Sequence, residues 1–135
     1  MTNQEKKELL GQYRAAEREE ERLALEIERW RSRGERMTAG YGPAPGGAGE
    51  SRSLEHTVAR IDELTRRLIG KRDELVSLRL SLGEAIDGVA DPRLRELLRL
   101  RYIEGMTWEA IAERMNYSYM QICRLHDKAL QAMRM

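Results

Sequence analysis

Residues 91–135 carry cationic and amide side chains that suit the recognition of hydrogen-bond acceptors. Arg124 presents a planar fork of N–H donors, and the Gln121 amide can donate and accept at once. Arg114 and Lys128 add positive charge on either side of them. These residue types bind oxygen and nitrogen acceptors, but they form no pairing of a nucleophile with a base. The chemistry that they indicate is therefore non-covalent recognition.

Catalysis is not expected from this sequence. Cys123 is the only cysteine, so neither an intramolecular disulfide nor a cysteine-based zinc cluster can form. His56 and His126 lie too far apart in sequence to suggest a metal pair. The Gly cluster at 40–49 lacks the Lys-Ser/Thr of a phosphate-binding loop. We therefore expect no enzyme activity, no cofactor and no metal.

The composition favours elongated helices over a compact enzyme. Of 135 residues, 35% are charged and 5% are aromatic, Phe is absent, and the mean hydropathy is −0.68. The formal net charge is +1, but residues 91–135 carry eight Lys and Arg against six Asp and Glu. This excess points weakly to a polyanionic partner. Because the sequence has no apolar leader and no apolar run of about 18 residues, it predicts a soluble, cytoplasmic protein without membrane contact.

Residues 1–90 are predicted to form a coiled-coil-like helical arm. Apolar residues recur at alternating four- and three-residue spacing from Leu9 to Trp30, and a second stripe begins after Ser53. The Gly and Pro residues between the stripes predict an antiparallel hairpin. The predicted elements are helices over about 3–33 and 53–88 and a Gly/Pro-rich linker over 34–52.

The second stripe is broader than a narrow coiled-coil seam, because Leu64, Val76 and Leu80 extend its apolar face. Glu20 and Arg72 occupy seam positions of the first and second helix. A two-helix hairpin that buries one stripe per helix is marginal in water. The breadth therefore predicts a homodimer in which two hairpins form a four-helix bundle. The alternative is that the extra face packs on the tail.

The linker allows two interpretations. It is a flexible connection, or Tyr41 and the Pro-Ala-Pro turn after it dock on a partner or on the tip of the hairpin. The sequence does not separate the two.

Residues 91–135 are predicted to form three short helices. Asp91 can cap the first helix, Pro92 suits its first turn, and Gly105 ends it. Thr107 is the predicted cap of the second helix. The tail would therefore be a compact domain attached to the helical arm.

The second and third tail helices are separated only by the residues MNYS. Asn116 tolerates the left-handed backbone angles of a sharp turn, and the small Ala112 allows two helices to cross closely. Ser118 and Gln121 have the spacing of a capping box that would begin the third helix, predicted over 118–131. This is the spacing of a helix-turn-helix, whose second helix enters the DNA major groove. A plain three-helix bundle is the alternative.

The stretch LLRLRYIEGMTWEAIAERMNYSYMQICRLHDKALQAM resembles region 4 of the primary sigma factors. The resemblance covers roughly residues 92–133 and includes a Leu-Arg-Tyr helix, a Thr-x-x-x-Ile-Ala helix and an ending in Lys-Ala-Leu. The whole chain, including GYGPAPGGAGESRSLEHTVARIDEL, also resembles small phage or prophage proteins with a helical arm and a sigma-like tail. Two positions differ from sigma factors: Asn116 replaces the usual turn Gly, and Ser118 begins a stretch that is not Arg-rich.

The resemblance implies two partners. Double-stranded DNA is the first. RNA polymerase is a second candidate, because region 4 of sigma factors also binds the polymerase flap. The side chains implied for that contact are Leu94, Leu98 and Tyr102, although packing in a core explains them equally well.

The predicted recognition helix turns Ile122, Leu125 and Ala129 inward, which leaves its opposite side free to read bases. Arg124 could pair with guanine O6 and N7, which contributes about 1–3 kcal/mol of base discrimination. A phosphate contact or a solvated charge explains Arg124 as well. The predicted base contacts are Tyr119, Met120, Gln121, Cys123 and Arg124. The predicted phosphate contacts are Arg101, Thr107, Arg114, Ser118, Asp127 and Lys128.

The sequence thus predicts an all-α protein, with a long helical hairpin over 1–90 followed by a three-helix helix-turn-helix domain over 91–135. We expect a sequence-specific, DNA-binding transcription regulator of phage origin that forms a homodimer through its arm. Two alternatives stay open: a DNA-binding phage packaging component of the small-terminase type, and a coiled-coil adaptor that binds no DNA.

Overall fold

The computed structural model describes the backbone of residues 1–39 and 48–135 and the side chains of residues 1–37 and 52–135. Throughout these ranges the protein is all-α, as predicted: a helical hairpin precedes three shorter helices. The helices are α1 (Asn3–Ala39), α2 (Ala48–Asp87), α3 (Pro92–Leu98), α4 (Trp108–Met115) and α5 (Tyr119–Ala132).

The linker predicted over 34–52 is wrong at both ends, because α1 continues to Ala39 and α2 already begins at Ala48. A glycine inside a helix costs about 0.5–1 kcal/mol relative to alanine. Gly34 is nonetheless helical, and it lies where α1 closely approaches α2, since a Cβ added to it would be 3.4 Å from Thr57 Cγ2. Tyr41 and the Pro-Ala-Pro turn lie outside the described residues.

The chain divides into two compact units. The hairpin unit is Arg18–Asp73, and the tail unit combines Met1–Glu17 with Glu74–Met135. The boundary predicted between residues 90 and 91 therefore falls inside the tail unit, which also takes in the first residues of α1 and the last residues of α2.

The hairpin unit has a small apolar core between two antiparallel helices. Its buried side chains are Leu23 and Ile27 of α1 and Leu64 and Leu68 of α2. Around this core, charged side chains join the helices. Glu20 Oε1 lies 3.1 Å from Arg72 Nε, so the two charged residues at the seam form an ion pair.

The tail unit has a larger core to which all five helices contribute. Leu10 of α1 and Ile86 of α2 are fully buried together with Leu97, Ile111 and Ile122 of the three shorter helices. The first residues of α1 are thus part of the same core as the predicted DNA-binding helices.

Polar contacts also join α1 to α5 within the tail unit. The buried Lys6 ammonium donates to the carbonyls of Leu130 at 2.5 Å and Met133 at 2.9 Å, at the C-terminal end of α5. The Asn3 amide donates to the Asp127 carbonyl at 3.5 Å. A cation at a helix C-terminus satisfies carbonyls that have no partner inside the helix, and it complements the helix dipole. These contacts fix the end of α5.

None of the described helices is long and apolar enough to span a membrane.

Candidate nucleic-acid interface

The first tail helix begins as the sequence predicted. The Asp91 carboxylate accepts from the backbone N–H of Arg93 at 2.9 Å, and Pro92 occupies the first turn. After Leu98 the helix widens into a π-helical turn over Arg99–Ile103. Gly105 then takes a φ of 71°, a left-handed angle that favours glycine, and the Arg14 guanidinium lies over it.

The second helix and the turn after it also match the prediction. The Thr107 hydroxyl accepts from the backbone N–H of Ala110 at 3.2 Å. Asn116 adopts φ 62° and ψ 43°, the left-handed conformation expected of it at a sharp turn. The backbone N–H of Tyr117 then donates to the Ala112 carbonyl at 2.9 Å, which closes the turn and directs the chain into α5.

A reciprocal capping box starts α5. The Ser118 hydroxyl accepts from the Gln121 N–H at 3.2 Å, and the Gln121 side-chain oxygen accepts from the Ser118 N–H at 2.9 Å. Ile122, Leu125 and Ala129 are buried, as predicted. The structure therefore holds α5 by one face and leaves the opposite face in solvent.

All five predicted base contacts are exposed, and the side chains of Tyr119 and Cys123 interact with each other through a hydrogen bond. Tyr119 and Met120 are 50% and 66% exposed, and Cys123 and Arg124 are also exposed. In the described part of the chain the Arg124 guanidinium has neither a hydrogen bond nor an ion pair. Gln121 differs, because its side-chain oxygen is occupied by the capping box. Base contact by any of the five stays a prediction.

The predicted phosphate contacts fall into groups. Arg114 and Lys128 are exposed, and their charges have no partner among the described residues. Thr107 and Ser118 use their hydroxyls to cap α4 and α5, which places them at helix N-termini, where N–H groups favour an anion. Asp127 is exposed, but its carboxylate would repel a phosphate. These contacts also stay predictions.

The remaining predicted phosphate contact, Arg101, is held in a defined position. Its guanidinium carbon lies 4.3 Å from the centroid of the Trp108 ring, and its Nη1 donates to the Met106 carbonyl at 3.0 Å. A guanidinium has five N–H donors, so this arrangement orients the group without using all of them.

Tyr102 and His126 of α5 form a buried polar pair that the sequence did not predict. Tyr102 Oη and His126 Nε2 lie 2.6 Å apart, and both residues are buried. Burial lowers the pKa of His126 to about 4 and raises the pKa of Tyr102 to about 12. Both groups are therefore neutral near pH 7. The buried position of His126 fits a structural role for this histidine.

The side chains implied for a polymerase contact are not on the surface. Leu94, Leu98 and Tyr102 are buried in the tail-unit core, which also contains Leu10 and Tyr13 of α1. Of the two explanations that the sequence allowed for these three residues, core packing describes their position in this structure.

Comparison with known proteins shows which family the tail resembles. Residues 91–135 match the family described as sigma-70, region 4. The tail is a sigma region 4-like helix-turn-helix, a domain type that binds DNA. No curated protein and no solved structure matches the chain. The match begins at Asp91, the residue that caps α3, and covers α3, α4 and α5.

Proposed function

We propose that this protein is a sequence-specific, DNA-binding transcription regulator that inserts α5 into the major groove. The observation that carries the proposal is the exposed side of α5. Met120 and Arg124, whose guanidinium has no partner among the described residues, project from a helix whose other side is buried, in the part of the chain that matches sigma-70, region 4. A helix presented in this way can bring its side chains to base edges.

The charge of the tail supports the proposal only modestly, since eight cationic residues face six acidic ones over 91–135. Phosphate contacts supply most non-specific affinity, so one copy of the tail would bind DNA weakly. We therefore propose a homodimer, which doubles the contacts. Exposed apolar side chains on α2 support it: Val76 and Leu80 are 61% and 64% exposed in the tail unit, and Ile69 is 56% exposed in the hairpin unit.

Three further parts of the proposal derive from the sequence. Two of them, a phage origin and RNA polymerase as a second partner, come from the likeness to sigma region 4 and to small phage proteins, and the third, a cytoplasmic location, comes from the apolar pattern of the sequence. A polymerase contact through Leu94, Leu98 and Tyr102 would require these buried side chains to become accessible. The proposal includes no catalytic step.

The test is selection of genomic DNA fragments with purified full-length protein, followed by titration of the best fragment. We expect a defined enriched site. Arg124→Ala should reduce discrimination against a mutated site by about 1–3 kcal/mol, roughly 5- to 150-fold, because it removes a bidentate base contact. The matched control is Arg66→Ala in the hairpin unit, which removes an exposed arginine of α2 that has no partner in the described part of the chain and should leave the affinity unchanged.

Two results would contradict the proposal. Absence of any enriched fragment would remove sequence-specific binding by the protein itself. Equal losses for Arg124→Ala and Arg66→Ala would show a general charge effect in place of base recognition.

A further inference from the structure

A recess in the tail unit lies beside α5. It has a volume of about 440 Å³, and it is lined by Lys7 and Gly11 of α1, Arg101, Trp108, and Cys123 and Asp127 of α5. Cys123 is a predicted base contact, so the recess borders the surface proposed to read DNA. The part of its wall that comes from α1 lies outside the region that matches sigma-70, region 4.

Two adjacent lysines of α1 have different roles. Lys6 is buried and caps the C-terminal end of α5. Lys7 is exposed and lines the recess, and in the described part of the chain its ammonium has no hydrogen bond or ion pair. Because Lys6 anchors this turn of α1 to α5, Lys7 is held at a defined place beside the recognition helix.

The charges around the recess favour an anion. Lys7 and Arg101 are cationic and Asp127 is anionic, while the buried His126 is neutral near pH 7. Arg101 is oriented by its stacking on Trp108 and retains unused N–H donors. The recess therefore combines the compact charge of an ammonium with an oriented guanidinium, and this pair suits a phosphate group.

We infer that this recess receives a phosphate of the DNA backbone, bound between Lys7 and Arg101. Lys7 would then be a DNA contact contributed by the helical arm to the helix-turn-helix. The inference rests on the proposed DNA binding. It extends the interface to a residue that lies 84 positions before the start of the family match.

Gly11 explains why the recess is open. It lies in the wall formed by α1, and a Cβ added to it would have no atom within 4 Å. A glycine inside a helix is unfavourable by about 0.5–1 kcal/mol relative to alanine, so Gly11→Leu should not weaken the helix. It places a side chain in the recess and leaves every charge unchanged.

The experiment measures affinity for the selected DNA site at several salt concentrations. The slope of log K against log salt is negative, and Lys7→Ala should make it less negative by about one. The same variant should reduce affinity by roughly tenfold at 0.1 M monovalent salt, equally for all sequences. Gly11→Leu should reduce affinity as well. Arg66→Ala, with the same loss of one exposed cation, should change neither quantity. Thermal melts of Lys7→Ala and Gly11→Leu followed by circular dichroism would show that the fold is retained.

Duplexes with a single neutral methylphosphonate identify the phosphate. At one position the modification should weaken wild type more than it weakens Lys7→Ala, because the contact with Lys7 is already absent from the variant while the contact with Arg101 remains. Additive losses at every position, or an unchanged salt slope for Lys7→Ala, would overturn the inference.

The outcome for the proposed function can be read separately. If Arg124→Ala loses discrimination while Lys7→Ala binds as wild type, the base-reading helix stands and the recess is not a phosphate site. If wild type selects no DNA fragment, both are overturned.

Discussion

The hairpin unit and the tail unit are built from the same two long helices, but different interactions stabilise them. In the hairpin unit four buried aliphatic side chains form the core, and ion pairs such as Arg72 with Glu20 join the helices around it. In the tail unit the ends of the same helices enter a core shared with α3, α4 and α5. Exposed ion pairs contribute little to stability, whereas buried aliphatic side chains contribute several kcal/mol each. The difference indicates that α1 and α2 gain most stability where α3, α4 and α5 share a buried core with them.

The largest effect should follow from Leu10→Ala. Leu10 is 0% exposed in the tail-unit core, so its truncation should lower the free energy of unfolding by about 2–5 kcal/mol. Each unit contains one tryptophan, Trp30 in the hairpin unit and Trp108 in the tail unit. Urea unfolding followed by Trp108 fluorescence in a Trp30→Phe background would therefore report on the tail unit.

The matched control for Leu10→Ala is Leu25→Ala, because Leu25 lies on the same helix and is 60% exposed. It should change the unfolding free energy by less than about 0.5 kcal/mol. If Leu10→Ala left the urea transition of Trp108 unchanged, the start of α1 would not be part of the tail-unit core. The tail unit would then not be stabilised by a core that α1 shares with the three shorter helices.

An intermediate effect should come from the buried histidine of the tail unit. Burial lowers the pKa of His126 to about 4, below the value of about 6.5 for an unfolded chain. Between these values the unfolded state binds more protons than the folded state, so stability should fall as the pH is lowered from 6.5 to 4. The loss over this range is about 3 kcal/mol, since one pKa unit corresponds to about 1.4 kcal/mol.

Urea midpoints at pH 7 and pH 4.5 would measure this effect. Because carboxylates also titrate in this range, the informative quantity is the difference between wild type and His126→Gln, which should be less sensitive to pH. His56→Gln, a change at an exposed histidine of the hairpin unit, should keep the wild-type sensitivity. Identical pH dependence for wild type and His126→Gln would contradict the assignment.

The smallest effect should come from the ion pairs of the hairpin unit. Glu26 Oε2 lies 3.1 Å from Arg22 Nη1, and Glu26 Oε1 lies 3.4 Å from Arg60 Nη2. Glu26→Gln should cost about 0.2–1 kcal/mol, and the cost should decrease with added salt. Trp30 fluorescence in a Trp108→Phe background would follow the hairpin unit.

Glu28→Gln is the control for Glu26→Gln, because it removes the same charge from an exposed residue of α1 that has no partner among the described residues. A loss of 2 kcal/mol or more at Glu26, similar to that expected at Leu10, would mean that charge and not packing dominates the hairpin unit.

The local structure of the tail was largely predictable. Asp91, Thr107 and Ser118 cap the helices that they were expected to cap, and Asn116 takes the left-handed angles of the turn. The prediction failed at the linker, where Gly34 was expected to end a helix and instead lies inside α1. Its close approach to Thr57 is a tertiary contact, and local propensity does not reveal such contacts.

The sequence by itself determined that the helices form, the caps of the tail helices and the helix-turn-helix, but not where α1 ends and α2 begins, because the determined features depend on residues a few positions apart. Only the tertiary structure decided that Lys6 and Leu10 support α5, that Tyr102 pairs with His126, and that Lys7 lies at a recess with Arg101. The physical reason is that these contacts join residues from 24 to more than 120 positions apart. Their formation depends on how the helices pack, and the spacing of residues within one helix carries no record of it.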